Sequence, residues 1–346
     1  MLSILSIAKV VPDQSFTQDE VYNKLNIKSE KAKRFFKNNH IKKRHLHLDV
    51  NENYKEETSG ELFQKQKDLA PKYCQLALME SLNKAGIKAQ NLDFLLIVTS
   101  TSFLVPSLSS KVANLCNLNK NCQRLDVVGM GCNAGMNALR VFSDWTKANP
   151  SKFGALICCE LGSCMYSLED SDTNHLVNSL FGDGVVSLLG LETDHVGGCG
   201  INFLSFESFL IPNSEEYLRY DWNNEKSKYS FVVEKDTPKI LSQYFPIPIE
   251  KLLSKNKKNQ SDVDAWILHS GGEAILDGIQ KKLNLDDSAL IYTRNVLSNF
   301  GNISSGSFLV SLRDYISDVR SSKKLIVLGS MGPGLSIELA LAEIYV

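Results

Sequence analysis

The chain repeats itself at a spacing near 170 residues, and this repeat constrains the fold more than any other feature. The block Asn91-Leu-Asp-Phe-Leu-Leu-Ile-Val-Thr-Ser100 returns as Asp262-Val-Asp-Ala-Trp-Ile-Leu-His-Ser270, with Asp93 and Asp264 lying 171 positions apart. Gly131-Cys132 returns as Gly301-Asn302 at 170, and Ala155-Leu-Ile-Cys158 as Lys324-Leu-Ile-Val327 at 169. Blocks in one order at nearly one offset mark a duplicated unit. In 346 residues this predicts two homologous halves, 1–205 and 206–346, that together build one catalytic body.

Each half reads as a helix, a short apolar strand, a glycine-punctuated turn into a buried helix, and a second apolar strand. Helical periodicity covers 71–86 and 272–283. The runs 93–99 and 264–269 are nearly all apolar, the pattern of strands covered on both faces. The helices after Cys132 (Ala134, Met136, Leu139, Val141, Phe142, Trp145) and after Asn302 (Ile303, Phe308, Leu309, Val310, Leu312) are apolar around most of their circumference, as buried helices are. The reading is a layered α/β body with helices sandwiched between sheets. Ile4, Ala8 and Val10 alternate as a first strand, and the polar stretches 49–60, 213–228 and 254–262 read as loops.

Composition excludes several classes of function. Lys plus Arg number 38 against 39 Asp plus Glu, so the broad positive field of a nucleic-acid binder is missing. Hydrophobic residues make up 43%, which excludes a disordered chain. No run approaches the ~18 apolar residues of a membrane span, and Met1–Val10 has no basic region or cleavage site of a signal peptide. The expectation is a cytoplasmic protein with no membrane partner, whose eight cysteines are reduced thiols. Cys158, Cys159 and Cys164 lack a paired CxxC or clustered His, so no metal is expected.

Three residues at the repeated turns carry chemistry. Cys132 stands in Gly129-Met-Gly-Cys-Asn-Ala-Gly135 at the start of a buried helix. A helix N-terminus biases a thiol toward thiolate, and flanking glycines allow a substrate close approach. His269 ends an apolar strand and opens into Ser270-Gly271-Gly272, the place where α/β sites form. Asn302 holds the repeat position of Cys132. On its own Asn302 is a helix cap and His269 a core histidine. Together the set supplies a nucleophile, a proton-transfer group and an amide donor for a developing oxyanion.

These residues resemble a known family. Gly131-Cys132-Asn-Ala-Gly135, Leu180-Phe-Gly-Asp-Gly184, His269-Ser-Gly-Gly272, Gly301-Asn-Ile-Ser-Ser305 and Gly332-Pro-Gly-Leu335 occur in the order and spacing of thiolase-fold condensing enzymes. Ile41-Lys-Lys-Arg-His-Leu-His-Leu48 and Gly329-Ser-Met-Gly-Pro-Gly-Leu-Ser-Ile-Glu338 resemble the type III polyketide synthases of the chalcone and stilbene synthase kind. The resemblance runs from about residue 5 to 343. It implies a five-layer αβαβα thiolase-like fold and a homodimer. It also implies coenzyme A thioesters as substrates, malonyl-CoA and an acyl-CoA starter among them, with no permanently bound cofactor.

By the same resemblance Cys132 is acylated, His269 and Asn302 stabilise the enolate left by malonyl decarboxylation, and His269 holds Cys132 as thiolate. Phe181 and Phe231 match the family's gatekeeper phenylalanines. Ser304, Met331 and Val105 fall at cavity positions, where Met331 and Val105 depart from the Phe and Met of plant relatives, as Asn133 departs from their Phe. Lys31 and Arg34 match residues that contact coenzyme A phosphates, while the third falls on Asn38 with Lys37 adjacent. Apart from the resemblance, the cluster from Lys28 to Arg44 reads as a solvated helical face, and His45 and His47 as surface strand residues. The Gly-Cys-Asn-Ala-Gly loop suggests the bacterial subgroup that makes 3,5-dihydroxyphenylacetyl-CoA from malonyl-CoA alone. Two other readings stand beside this one: a single-step ketoacyl synthase or acyltransferase fed by an acyl carrier protein, and a non-catalytic partner subunit of the same fold.

Overall fold

The computed structural model describes residues 1–27, 29–37, 40–49, 52–193, 199–320 and 323–345. Thirteen strands occur among them: β1 Leu2–Val10, β2 Ser15–Phe16, β3 Arg44–His45, β4 Leu92–Thr99, β5 Gln123–Val128, β6 Phe153–Leu161, β7 Asp183–Glu192, β8 Cys199–Leu210, β9 Leu218–Asn223, β10 Lys228–Val233, β11 Ala265–Leu268, β12 Lys324–Gly332 and β13 Ser336–Tyr345. Nine of them run in the order β11-β12-β13-β8-β1-β7-β6-β4-β5. In the first half β4 pairs in parallel with β5 and β6, and β7 is antiparallel to β6 and to β1. The second half repeats this, with β11 parallel to β12 and β13 antiparallel to β12 and to β8. Among the described residues no strand of the second half answers β5.

The two half-sheets join only where Leu2–Ile4 of β1 meets Cys199–Ile201 of β8. That short seam lets them fold over the two central helices, Ala134–Ala148 and Ser307–Asp318. Strand alternation shows why the runs are apolar on both faces. Leu96 and Val98 of β4 enter the core around the central helices, while Leu95 and Ile97 enter a second core against the helix Ser59–Ala85. On the other side, Ile326 and Leu328 of β12 face the central helices. Val327 packs instead with Leu241, Ile249 and Leu276 from the helices Thr237–Tyr244, Pro246–Lys255 and Glu273–Leu283. The result is helix, sheet, helix pair, sheet, helix: the five-layer thiolase-like arrangement. No helix among the described residues is long and apolar enough to cross a membrane.

Local predictions hold with three corrections. The helix expected over 71–86 begins at Ser59, where a Thr58–Glu61 capping box starts it, and continues through the buried Pro71 to Gly86, whose φ of 67° ends it. The stretch 213–228 is not all loop, because cross-strand pairing with β10 draws Leu218–Asn223 into β9. Within 254–262, the first residues finish the helix Pro246–Lys255, and Gln260–Asp262 forms a turn of 3-10 helix. Strand β8 runs without a break through residue 205.

Candidate active site

Cys132 lies in a 3-10 turn, Gly131–Asn133, between β5 and the central helix Ala134–Ala148. The turn needs glycine at 131: φ is +73°, and a Cβ there would come within 2.3 Å of Pro333 Cδ. Ser330 Oγ donates to the Cys132 carbonyl at 2.7 Å, and Asn133 Nδ2 donates to Ser336 Oγ, so the second half holds the turn of the first. The sulfur is buried, with Ser304 Oγ 3.4 Å away. Burial pushes the thiol up to about 12, outweighing the hydrogen bonds from Ser304 and Asn302. Desolvation thus opposes the bias toward thiolate that the helix end supplies.

His269 follows directly on β11, and its amide donates to the Gly329 carbonyl at 2.8 Å. Its Nδ1 sits 2.6 Å from Ser307 Oγ. That hydroxyl donates to the Ser304 carbonyl at 3.0 Å, so it accepts from Nδ1–H and leaves the lone pair on Nε2. Burial pulls the imidazole down to about 4, which keeps it neutral. The Asn302 amide is oriented as well: its Oδ1 accepts from the Ser304 amide at 2.7 Å, which makes Nδ2 the donor end, and Nδ2 donates to the Gly271 carbonyl at 3.5 Å. Leu180–Gly182 of the first half bind Asn302, through Asn302 N to Leu180 O at 2.9 Å and Gly182 N to Asn302 O at 3.0 Å.

A cavity of about 320 Å³ collects these groups. Cys132, His269, Asn302, Phe181, Phe231 and Met331 line it, and Arg34 stands among the lining residues. Phe181 and Phe231 meet edge to face, 5.6 Å between centroids. Other expected residues lie elsewhere. Lys31 pairs on the surface with Asp172 at 2.8 Å, Lys37 caps the helix Glu30–Phe36 facing solvent, and Val105 is 94% exposed. Lys28 and Asn38 lie outside the described residues.

Two functional-looking residues escaped the sequence reading. Arg44, placed there on a solvated face, is fully buried. Its Nη1 donates to Tyr166 Oη, Asn178 O and Phe181 O at 2.7, 2.6 and 2.9 Å, and Nη2 donates to Gln18 Oε1 at 2.7 Å. It thus fixes the backbone of Phe181. The signal was its place on β3 between apolar neighbours, Ile41 and Leu46, both buried. Glu160 is the penultimate residue of the apolar strand β6, and an acid in that position is the only hint the sequence offers. Burial raises it to about 7. Ser100 Oγ donates to it at 2.8 Å and lies 3.0 Å from Ser304 Oγ, which reaches Cys132. Beyond Ser100 and Phe231 opens a second cavity of about 510 Å³, walled by Tyr220, Trp222 and Tyr229 of the β9–β10 hairpin.

Comparison with known proteins matches this geometry to one family. The sequence models for chalcone and stilbene synthases match over residues 2–191 (N-terminal domain) and 204–344 (C-terminal domain). The 3,5-dihydroxyphenylacetyl-CoA synthase of Amycolatopsis orientalis is 35% identical over 342 residues, 97% of this chain and 92% of that protein. The 1,3,6,8-tetrahydroxynaphthalene synthase of Streptomyces coelicolor is 28% identical over 267 residues, 76% of this chain and 70% of that protein. In fold, the chain matches the C-terminal type III polyketide synthase domain of Steely1 from Dictyostelium with a TM-score of 0.91, at 24% identity and covering 100% and 99% of the two chains. With both family domains matched in order, the chain belongs to the chalcone and stilbene synthase family and is a type III polyketide synthase of the thiolase-fold superfamily.

Proposed function

We propose that this enzyme builds a 3,5-dihydroxyphenylacetyl thioester from malonyl-CoA alone, with Cys132, His269 and Asn302 as its catalytic residues. The observation that carries the product is the 35% identity to a synthase of that name over nearly the whole chain. The convergence of the three side chains on one cavity supports the residue roles.

In this mechanism the Cys132 thiol attacks a malonyl-CoA thioester as its proton passes to the His269 Nε2 lone pair. His269 then returns the proton to the departing coenzyme A sulfur. A second malonyl-CoA places its thioester oxygen against Asn302 Nδ2–H, beside His269. The carbon–carboxylate bond breaks, CO₂ leaves, and the electron pair spreads onto that oxygen as an enolate. The enolate carbon attacks the acyl carbon on Cys132, the carbon–sulfur bond breaks with its electron pair staying on the Cys132 sulfur, and that sulfur then attacks the thioester of the lengthened chain and displaces coenzyme A for the next round. Phe181 and Phe231 stand as the gate, Met331 and Ser304 as cavity wall, and Arg34 with Lys31 and Lys37 as the basic surface for coenzyme A phosphates.

The 1–205 and 206–346 halves act as one unit in this reading, since each holds the other's turn. A homodimer fits the edge strand β5, which exposes Leu125 and Val128, with Met130 following it and Val141 exposed on the helix Ala134–Ala148. The test is mass spectrometry of products from malonyl-CoA with no other starter. The expected product is the dihydroxyphenylacetyl compound, whereas an absolute need for another starter, or for a carrier-protein donor, overturns the assignment.

A further inference from the structure

His269 has one ring nitrogen to offer the reaction, and a serine behind the ring governs what that nitrogen can do. Ser307 is fully buried and opens the second central helix, Ser307–Asp318. Its Oγ lies 2.6 Å from His269 Nδ1, donates to the Ser304 carbonyl at 3.0 Å, and accepts from the Ser270 amide at 3.3 Å. A hydroxyl carries a single proton, and here the carbonyl takes it, so toward Nδ1 the oxygen acts as an acceptor. The Ser304 carbonyl, an acceptor as well, favours a proton on the ring. The opposite edge of the imidazole faces Gly271, where a Cβ would come within 3.2 Å of Nε2 and Cδ2. Glycine at 271 leaves the Nε2 edge clear, and the bond from Asn302 Nδ2 to the Gly271 carbonyl brings the amide to the same place.

Two features keep the ring uncharged: its burial, and the positive end of the helix that Ser307 opens. A neutral imidazole has one N–H and one lone pair. With the proton on Nδ1, Nε2 can take a proton from a thiol but cannot donate to an oxyanion. With the proton on Nε2, the abilities are reversed. The contact at Nδ1 therefore selects between two chemical roles for one residue.

We propose that Ser307 is a positioning residue that sets the tautomer of His269, and so assigns the ring to the loading of Cys132 and leaves the oxyanion of decarboxylation to Asn302. This rests on the roles given above to Cys132, His269 and Asn302. In loading, the Cys132 S–H proton passes to Nε2 as the sulfur bonds to the thioester carbon. The carbon–sulfur bond to coenzyme A then breaks, and the same proton leaves Nε2 for the departing sulfur. Ser307 Oγ accepts from Nδ1–H throughout and steadies the ring while it carries both protons.

The test reads the tautomer by ¹⁵N NMR of histidine-labelled protein, with the His269 signals identified by their loss in His269→Asn. The wild type is expected to show a neutral ring protonated on Nδ1, and Ser307→Ala to gain the form protonated on Nε2. Acylation of Cys132 by malonyl-CoA or acetyl-CoA, followed by rapid quenching and intact-protein mass spectrometry, should slow about tenfold or more in Ser307→Ala, since the wrong tautomer of a catalytic histidine can cost up to about 10⁴-fold. CO₂ release from malonyl-CoA, measured in the Cys132→Ala background, should hold or rise, because the second tautomer adds a donor beside Asn302. Ser307→Thr, which keeps the hydroxyl, should keep the wild-type tautomer and acylation rate. A wild-type ring protonated on Nε2, an unmoved tautomer in Ser307→Ala, or equal slowing of acylation and CO₂ release overturns the proposal. The NMR readout needs no turnover. A Ser307-dependent tautomer in a wild type whose Cys132 takes up no acyl group supports Ser307 as the residue that sets the ring and removes the catalytic reading alone.

Discussion

The two repeated turns share a backbone plan and differ in what they present. Gly131-Cys132 and Gly301-Asn302 both place a glycine at positive φ, +73° and +67°, before the functional residue, and both lead into a central helix. Each is locked by the opposite half. Pro333, Ser330 and Ser336 hold the cysteine turn, and Leu180, Gly182 and Arg44 hold the asparagine turn. The difference lies in the side chain: a sulfur that can form a covalent bond, facing an amide that can only hydrogen-bond. Duplication thus supplied two rigid brackets, and the chemistry divides between them. Crossed locking also explains why the seam between half-sheets can be so short.

The sharpest way to break this comparison is to remove each side chain in turn. Cys132→Ala should reduce polyketide formation by about 10³-fold or more, because no acyl-enzyme forms, while decarboxylation of malonyl-CoA continues. Product formation by that variant removes the nucleophile assignment. Asn302→Ala should slow malonyl-CoA decarboxylation about 10²–10³-fold, the usual effect of losing one oxyanion donor. Cys132 should still take up an acyl group in that variant. Released CO₂ and the Cys132 adduct, measured separately, resolve the two roles, and equal effects on both readouts in both variants would erase the division.

The next effect concerns the lock rather than the chemistry. Arg44→Met keeps the length of the side chain but strands the Asn178 carbonyl and Gln18 Oε1 in a buried site, while Tyr166 Oη keeps its own bond to the Phe181 carbonyl. Unpaired buried polar groups carry penalties of about 1–3 kcal/mol each, so unfolding in denaturant should show a loss of about 3 kcal/mol or more. An unchanged midpoint would mean that Leu180–Gly182 hold the asparagine turn without it.

What could be read from the sequence follows this division. The layers, the repeated turns and the Cys, His and Asn positions were legible because glycine frames and apolar runs are local patterns. The charged core was not. Arg44 sits in a basic run whose neighbours, Lys42 and Lys43, are exposed, and only tertiary packing turns its side chain inward. The burial that pushes the Cys132 thiol up was hidden for the same reason, since desolvation depends on what the fold places over the sulfur. Leu218–Asn223 reads as loop because its strand character comes from pairing with β10 rather than from its own pattern.

Glu160 extends the comparison to pH, since the matching stretch of β12, Gly329-Ser330, is uncharged. The folded protein binds the Glu160 proton more tightly than the unfolded chain, because burial lifts the carboxyl from 4.5 to about 7. Stability from this group is therefore whole below about pH 4.5 and is lost as pH rises toward 7, then constant above. The loss amounts to about 3 kcal/mol. Glu160→Gln should flatten that part of the stability curve, as measured by denaturant midpoints at pH 5 and pH 8. An equal slope in both proteins would show that the serine hydroxyls around Glu160 stabilise its charged form fully.

The smallest effect belongs to the surface, where the two halves of the basic segment part company. Lys31 meets Asp172 across solvent with both side chains about 60% exposed, whereas Arg34 borders the substrate cavity. An exposed ion pair contributes roughly 0–1 kcal/mol, so Lys31→Ala should leave the unfolding midpoint almost unchanged. Arg34→Ala should raise KM for malonyl-CoA with little change in kcat, as expected of a group that binds ground and transition states equally. If Lys31→Ala raises KM as much as Arg34→Ala, the Asp172 pair opens when coenzyme A arrives, and the basic surface extends along the whole helix. If only Arg34 matters, phosphate recognition is confined to the cavity mouth, and the remaining lysines of Glu30–Phe36 keep the helix solvated.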